Sequence, residues 1–305
     1  MLGVCSMIEV SNIRTYFTTG LIHRRVVQAV DDVSFQIEEG ETLGLVGESG
    51  CGKTTLGRSI LRLIEPDEGR VVVNGTDVTA LSRRDLRQFR SRMQMIFQDA
   101  YASLNPRMRV RESIAEPLKI HRMGDRAAID RRVRELIEEV GLNEEHLNRR
   151  PYELSGGQNQ RVVLARILAL KPEFIVADEP TSALDVSVQA QILNLIRDLG
   201  QEYHMSCLYV SHDLGVIRAM SNRVAVMLEG RIVEIGKAAD VLNRPCHPYT
   251  RRLVGIPGSL ERTPSTAALE MVEERPGHWS RRRQGERRRR PSLDSRARSA
   301  HPSGK

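Results

Sequence analysis

The run Gly47-Glu48-Ser49-Gly50-Cys51-Gly52-Lys53-Thr54 fits the pattern G-x-x-x-x-G-K-[ST], a spacing suited to holding phosphate. Its glycines let the backbone curl so that successive N–H groups converge on a β-phosphate, and a helix beginning at the end of the run aims its positive end at the same anion. Lys53 then falls between β- and γ-phosphates, and the Thr54 hydroxyl is a ligand for Mg²⁺. The expected nucleotide-contacting segment is Gly47 to Thr55.

Three other short apolar runs also end in polar residues. Met93 to Phe97 ends at Gln98, Phe174 to Ala177 at Asp178-Glu179, and Cys207 to Val210 at Ser211-His212-Asp213. Ligands of open α/β sheets bind outside the carboxyl ends of strands, so these ends and the phosphate loop can converge on one γ-phosphate. Charge and reach suggest the roles. Asp178 is placed to hold Mg²⁺ directly or through water, and Glu179 to polarise the attacking water as general base. Gln98 would orient that water or complete the metal shell, and His212 would hydrogen-bond the γ-phosphate. Leu154-Ser155-Gly156-Gly157-Gln158 sets small residues before a helix expected over Asn159 to Leu170, a second helix start suited to an anion.

The elements that must position these groups can be read from periodicity. Thr42 to Val46 is a short apolar strand, and Leu56, Ile60, Leu61 and Ile64 have helical spacing, so the loop lies between strand and helix. Residues 7–41 read as strands (Ile8 to Ile13, Val26 to Val30, Val33 to Ile37) separated by polar turns, and Asn74-Gly75 signals a hairpin within Arg70 to Val78. Tyr16 and Phe17 fall in the early turn. Either an aromatic face there stacks on adenine, or both are half-buried strand residues. Beyond Gln98, helices over Val110 to Ile120 and Arg126 to Val140 read as an insertion, and Ser182-Ala183-Leu184-Asp185 leads a helix with Ile192, Leu195, Ile196 and Leu199 on one face. The expected fold is α/β: a phosphate-loop NTPase with a parallel-sheet core, an antiparallel β subdomain and a helical subdomain over about residues 99–170.

Composition narrows the function classes. The 305-residue chain carries a formal charge of +7, but residues 259–305 hold 12 Lys/Arg against 6 Asp/Glu, leaving the body nearly neutral. That argues against a folded part that binds nucleic acid through counterion release. Cys5, Cys51, Cys207 and Cys246 show neither a C-x-x-C pair nor metal-ligand spacing to histidines, which suits a reduced, cytoplasmic chain. Leu2-Gly3-Val4-Cys5 lacks the charged and apolar leader of a lipid-attachment site, so Cys5 reads as incidental near a ragged start, with Met7 as an alternative first residue. No stretch approaches eighteen uncharged apolar residues. From Ser259 onward the chain is rich in Arg, Ser, Pro and Glu, with runs at Arg281 to Arg283 and Arg287 to Arg290, and reads as a disordered, solvated tail.

Taken together, the motifs resemble those of the ATP-binding subunits of ABC transporters. Gly47 to Thr54 corresponds to Walker A, Gln98 to the Q-loop, Leu154 to Gln158 to the signature sequence and Phe174 to Glu179 to Walker B with its glutamate. Ser182 to Asp185 corresponds to the D-loop and His212 to the switch histidine. The resemblance covers about residues 7–257. It divides the chain into an ATP-binding domain (7–240), the start of a C-terminal extension (241–258) and the Arg-rich tail (259–305). Met95 to Asp99 followed by Ala102 to Arg107, then Ser182 to Gln191, and finally His247-Pro248-Tyr249-Thr250, are similar to the oligopeptide, dipeptide and nickel importer branch.

That resemblance implies ATP and Mg²⁺ as cofactors and head-to-tail dimerisation, with Ser155 and Gly157, flanked by Gly156 and Gln158, serving the γ-phosphate of the adjoining subunit. It puts Asp185, at the end of the D-loop, among the nucleotide-binding residues, and Phe17, with Tyr16 as fallback, against adenine. The implied partners are a second ATP-binding subunit, two transmembrane permeases at the cytoplasmic face of the membrane and, indirectly, an extracytoplasmic solute-binding protein. Some members of the branch carry a cysteine-rich iron–sulfur motif after the His-Pro-Tyr-Thr segment. Here Cys246 is the last cysteine, so no such cluster is expected. ABC ATPases of DNA repair would add long heptad arms or zinc modules, and neither is read between Walker A and the signature; those of translation would carry two motif sets, and one is read here.

Overall fold

The computed structural model describes residues 6–19, 25–256 and 269–283; Cys5 and Arg287 to Arg290 lie outside them. The chain begins with antiparallel strands β1 (Ser6–Thr19) and β2 (Arg25–Glu38), then β3 (Thr42–Val46), which enters the phosphate loop and helix α1 (Lys53–Ile60). Strands β4 (Glu68–Val73) and β5 (Thr76–Asp77) follow, then α2 (Arg83–Phe89) and β6 (Met93–Ile96). The helical insertion holds α3 (Ala100–Ser103), α4 (Val110–Ile120), α5 (Arg126–Glu139) and α6 (Gly156–Leu168). The core then resumes with β7 (Phe174–Asp178), α7 (Val186–Glu202), β8 (Ser206–Val210), α8 (Leu214–Met220), β9 (Arg223–Leu228) and β10 (Arg231–Lys237). Short helices α9 (Ala238–Asn243) and α10 (Pro248–Leu253) and the hairpin β11 (Leu269–Arg275)–β12 (His278–Arg283) close the described chain.

Two sheets result, one ordered β2-β1-β4-β5 and one ordered β11-β12-β10-β9-β3-β8-β7-β6. In the second, β9, β3, β8, β7 and β6 are parallel neighbours. Period-two alternation sends the two faces of these strands into different cores. Phe174, Val176, Leu208 and Val210 pack with β1, β2 and α1, whereas Ile175, Ala177, Cys207 and Tyr209 pack toward the helical side. Thus the strands are apolar on both faces, and their polar C-terminal ends remain for chemistry.

The polar turn expected between Val30 and Val33 is a bulge inside one continuous β2 strand. Asp32 (φ 58°) lies across from Asn12 (φ 51°), whose side-chain amide donates to Asp32 Oδ1 at 2.9 Å. Two short polar residues that tolerate the left-handed region, bonded to each other, absorb the irregularity without ending the ladder. At Asn74-Gly75 the expected hairpin is present, with Val73 paired to Thr76 and both turn residues at positive φ.

Residues 269–283 correct the expectation of a disordered tail beginning at 259. Pro276-Gly277 turns the chain between β11 and β12, and β12 pairs with β10 through Glu234↔Ser280 and Ile235↔Trp279. A free sheet edge supplies what so charged a sequence cannot supply alone, a ready ladder of backbone groups. Arg281, counted above in a solvated basic run, is buried and donates from Nε to Ile232 O at 2.7 Å.

Candidate functional site

The phosphate loop owes its shape to its neighbours as well as its glycines. Gly52 sits at φ 108°, and a Cβ there would come within 2.0 Å of Ala29 O, so β2 runs too close to the loop for any side chain. The Glu229-Gly230 turn between β9 and β10 clamps the loop from the other side. Gly230 N donates to Cys51 O at 3.0 Å, and Asp31 N donates to Gly230 O at 2.8 Å. Lys53 is buried, and its ammonium is held by the carbonyls of Gly47 (2.8 Å) and Glu48 (2.9 Å). Burial pushes the Cys51 thiol up, against the pull of the adjacent Lys53 ammonium.

A cavity of about 900 Å³ opens over this loop, lined by Ser49 to Thr55, Gln98, Glu179 and His212 and by Val27 to Ala29, Asp31 and Glu229 to Arg231. The ends of β3, β6, β7 and β8 meet here, as the strand endings predict. Glu179 has φ 47°, an uncommon conformation for a residue with a side chain. Its N–H donates to Val210 O at 3.0 Å, and its carbonyl accepts the Ser182 hydroxyl at 3.1 Å. So fixed, its carboxylate meets Gln98 Nε2 at 3.3 Å and His212 Nδ1 at 3.0 Å. Asp178 lies behind it, buried, and its Oδ1 accepts the Thr54 hydroxyl at 3.0 Å. Burial pushes the Asp178 carboxyl up, and the like charge of Glu179 adds to this, while the Thr54 bond, Arg58 and Lys53 oppose it. The buried Asp178 carboxylate, the Thr54 hydroxyl bonded to it and the Gln98 amide lining the cavity offer hard oxygen donors that fit a small divalent cation such as Mg²⁺.

Ser155 to Gln158 and Asp185 are not among the residues lining this cavity. Ser155 caps α6, where its Oγ accepts from Gln158 N at 3.2 Å and its N–H donates to Gln158 Oε1 at 2.9 Å. A Cβ on Gly157 would meet Val188 Cγ1 at 2.5 Å, so the helix that begins after Asp185 packs directly on the signature turn. Of the two aromatics, Tyr16 is committed: its hydroxyl donates to Asp31 Oδ1 at 2.9 Å, and Asp31 in turn pairs with Arg231. Phe17 pairs across the sheet with Val27, a cavity-lining residue, and is 38% exposed.

Periodicity alone did not single out Asp31, Glu229, Gly230 and Arg231, which wall the cavity. The Glu-Gly pair between two apolar runs was the available signal for the turn. Nor did it reveal that α10 touches the phosphate loop, through Tyr249 Oη, which accepts from Glu48 N at 2.9 Å.

The family described as ABC transporter matches residues 30–182. The oligopeptide transport ATP-binding protein OppF of Bacillus subtilis (strain 168) is 52% identical over 250 residues, spanning 81% of this chain and 81% of its own length. The glutathione import ATP-binding protein GsiA of Pectobacterium atrosepticum is 50% identical over 252 residues, 81% of this chain but 40% of that longer protein. Among solved structures, a dimeric post-hydrolysis state of an ATP-binding cassette bound to ADP and Pi is similar at a TM-score of 0.69 and 30% identity, over 76% of this chain and 99% of that one. These comparisons show that this chain belongs to the ABC transporter family as an ATP-binding, ATP-hydrolysing subunit.

Proposed function

We propose that the chain is the motor of a peptide importer. It would act at the cytoplasmic face of the membrane with a second ATP-binding subunit, two permeases and, through them, an extracytoplasmic solute-binding protein. The names of its relatives support the solute class: oligopeptide transport for the Bacillus protein and glutathione import, itself a small peptide, for the Pectobacterium one. Thr54, Asp178 and Gln98 would hold Mg²⁺, which would offset the negative charge of the phosphates.

In this reading loop N–H groups within Ser49 to Thr55 and the Lys53 ammonium hold the phosphates, and Phe17 covers the adenine. Glu179 takes the proton from a water whose oxygen attacks the γ-phosphorus in line as ADP leaves. His212 keeps the Glu179 carboxylate aimed and meets the γ-phosphate. The signature turn serves the ATP of the adjoining cassette, with Ser155 and Gly157 closing over its γ-phosphate and Asp185 at the shared interface.

The observation that carries this reading is spatial. Lys53, Thr54, Gln98, Glu179 and His212 share one cavity, with Asp178 joined to it through the Thr54 hydroxyl, while Ser155 to Gln158 do not line it. The test is peptide uptake into proteoliposomes holding this chain and its cognate permeases. Uptake should require ATP and stop with Lys53→Ala, whose ATP binding is also weakened. Uptake that persists unchanged in that variant would refute the assignment.

A further inference from the structure

The His-Pro-Tyr-Thr segment lies far from the phosphate loop in sequence, yet it reaches into it. Tyr249 is fully buried, and its hydroxyl accepts the Glu48 N–H at 2.9 Å across 201 residues of chain. The carbonyl of the same Glu48 accepts the Lys53 ammonium at 2.9 Å. Glu48 is thus held on its amide side by Tyr249 and on its carbonyl side by the lysine. Arg252, one turn along α10, stacks over the Tyr249 ring at 5.2 Å and pairs with Glu48 Oε1 at 3.2 Å.

The start of α10 is itself anchored. Glu234, fully buried on β10, accepts the N–H groups of Cys246 (2.8 Å) and His247 (2.9 Å), which lead into the helix. Its Oε1 also meets His278 Nε2 at 2.6 Å, from the hairpin that replaces the expected disordered tail. Cys246, Glu234 and His278 bring sulfur, oxygen and nitrogen ligand atoms within 4.8 Å of one another. The Glu234 carboxylate already receives three N–H bonds, which makes it a clasp joining β10, the start of α10 and the hairpin.

We infer that the C-terminal extension is a support for the phosphate loop: Tyr249 is a positioning residue that fixes the Glu48 peptide for nucleotide binding, and the Glu234–His278 clasp holds Tyr249 in place. The loop N–H groups must point inward together to cradle phosphate, and a peptide free to rotate at Glu48 weakens that convergence. Tyr249 touches no phosphate itself. Its loss therefore costs substrate and transition state alike, which raises KM and leaves kcat nearly unchanged.

This inference rests on Gly47 to Thr54 being the nucleotide loop, and the experiment separates the two. ATP binding, steady-state hydrolysis and Tm without nucleotide are measured on the full chain, assembled with its partners for hydrolysis, as wild type, Tyr249→Phe and His278→Ala. Phenylalanine fills the same space and deletes only the hydroxyl. A support role predicts roughly three- to tenfold weaker ATP binding in Tyr249→Phe, the loss of about one hydrogen bond. It also predicts a matching rise in KM and kcat within about twofold. His278→Ala should shift KM the same way by a smaller factor.

Unchanged KM and Kd in Tyr249→Phe, or a fall in Tm and kcat alone, would show a purely structural contact and overturn the inference. A normal KM in His278→Ala beside a raised one in Tyr249→Phe would overturn the clasp. Failure of the wild-type chain to bind ATP would overturn the nucleotide reading, and the inference with it.

Discussion

Replacing Glu179 by Gln isolates the chemical step from binding. The Glu179 side chain is held between Gln98 Nε2 at 3.3 Å and His212 Nδ1 at 3.0 Å, and its backbone is fixed by Val210 O at 3.0 Å. Glutamine has the same length and shape, its carbonyl oxygen can still accept from Gln98, and its amide can donate to an unprotonated His212 nitrogen. The cavity is therefore preserved. What is lost is a group able to take the proton of the attacking water, an effect worth about 10²- to 10⁴-fold in rate, or about 3–5 kcal/mol in the barrier. Removing the like charge beside Asp178 does not harm the fold, since Glu179 adds to the upward push on that buried carboxyl. Single-turnover hydrolysis of bound ATP in the assembled transporter, with ATP affinity measured in parallel, reads both quantities. Hydrolysis should fall by at least a hundredfold with the affinity within a few-fold of wild type. Glu179→Gln turning over within tenfold of wild type would refute the role, and an equal loss of ATP binding would show that the carboxylate holds nucleotide instead.

Three further expectations follow from the same geometry. Gly52→Ala forces a Cβ to within 2.0 Å of Ala29 O at φ 108°, so ATP affinity should drop at least tenfold by titration calorimetry, with a lower Tm, since neither clash nor strain can relax cheaply. Asp178→Asn removes a carboxylate whose ionisation burial opposes; the nucleotide-free Tm should rise while Mg²⁺-dependent ATP binding is lost, a stability gain at the cost of function. His278 faces Glu234 and Cys246: burial draws its pKa down, but hydrogen bonding and charge from those two outweigh it, and the imidazole is pushed from 6.5 up to about 9. A raised folded-state pKa means that the clasp contributes fully below pH 6.5 and loses its contribution as pH rises through about 9. The Tm of wild type minus that of His278→Ala should therefore shrink over that interval.

The cavity end of the sheet was legible because its polar residues follow short local apolar runs. Each of β3, β6, β7 and β8 is an apolar segment ending in the residue that lines or backs the cavity, and parallel order alone brings those ends together. The elements misread depend on partners distant in sequence. Asp32 reads as a turn until Asn12 is seen opposite it, and Arg281 reads as solvated until β10 offers its free edge and Ile232 O. The Tyr249–Glu48 bond and the His278–Glu234 pair join segments 201 and 44 residues apart, and no local pattern encodes either. Composition misled most in the hairpin, where Arg and Glu outnumber apolar residues but Pro276-Gly277 marks a turn.

The central claim is that one active site is shared between two cassettes, since this chain's cavity contains Lys53 and Glu179 but not Ser155. Ser155→Arg in the assembled transporter tests it most directly, with ATP binding to this chain and overall hydrolysis measured on the same preparation. Among the described residues the Ser155 hydroxyl accepts from its own helix, through Gln158 N at 3.2 Å, and Ser155 does not line the cavity, so the substitution leaves this chain's phosphate loop untouched. ATP affinity of this chain should stay within about twofold, while hydrolysis falls by at least half if the partner cassette is a different protein and nearly completely if it is a second copy. Wild-type hydrolysis in Ser155→Arg would contradict the shared site, as would loss of this chain's own ATP binding.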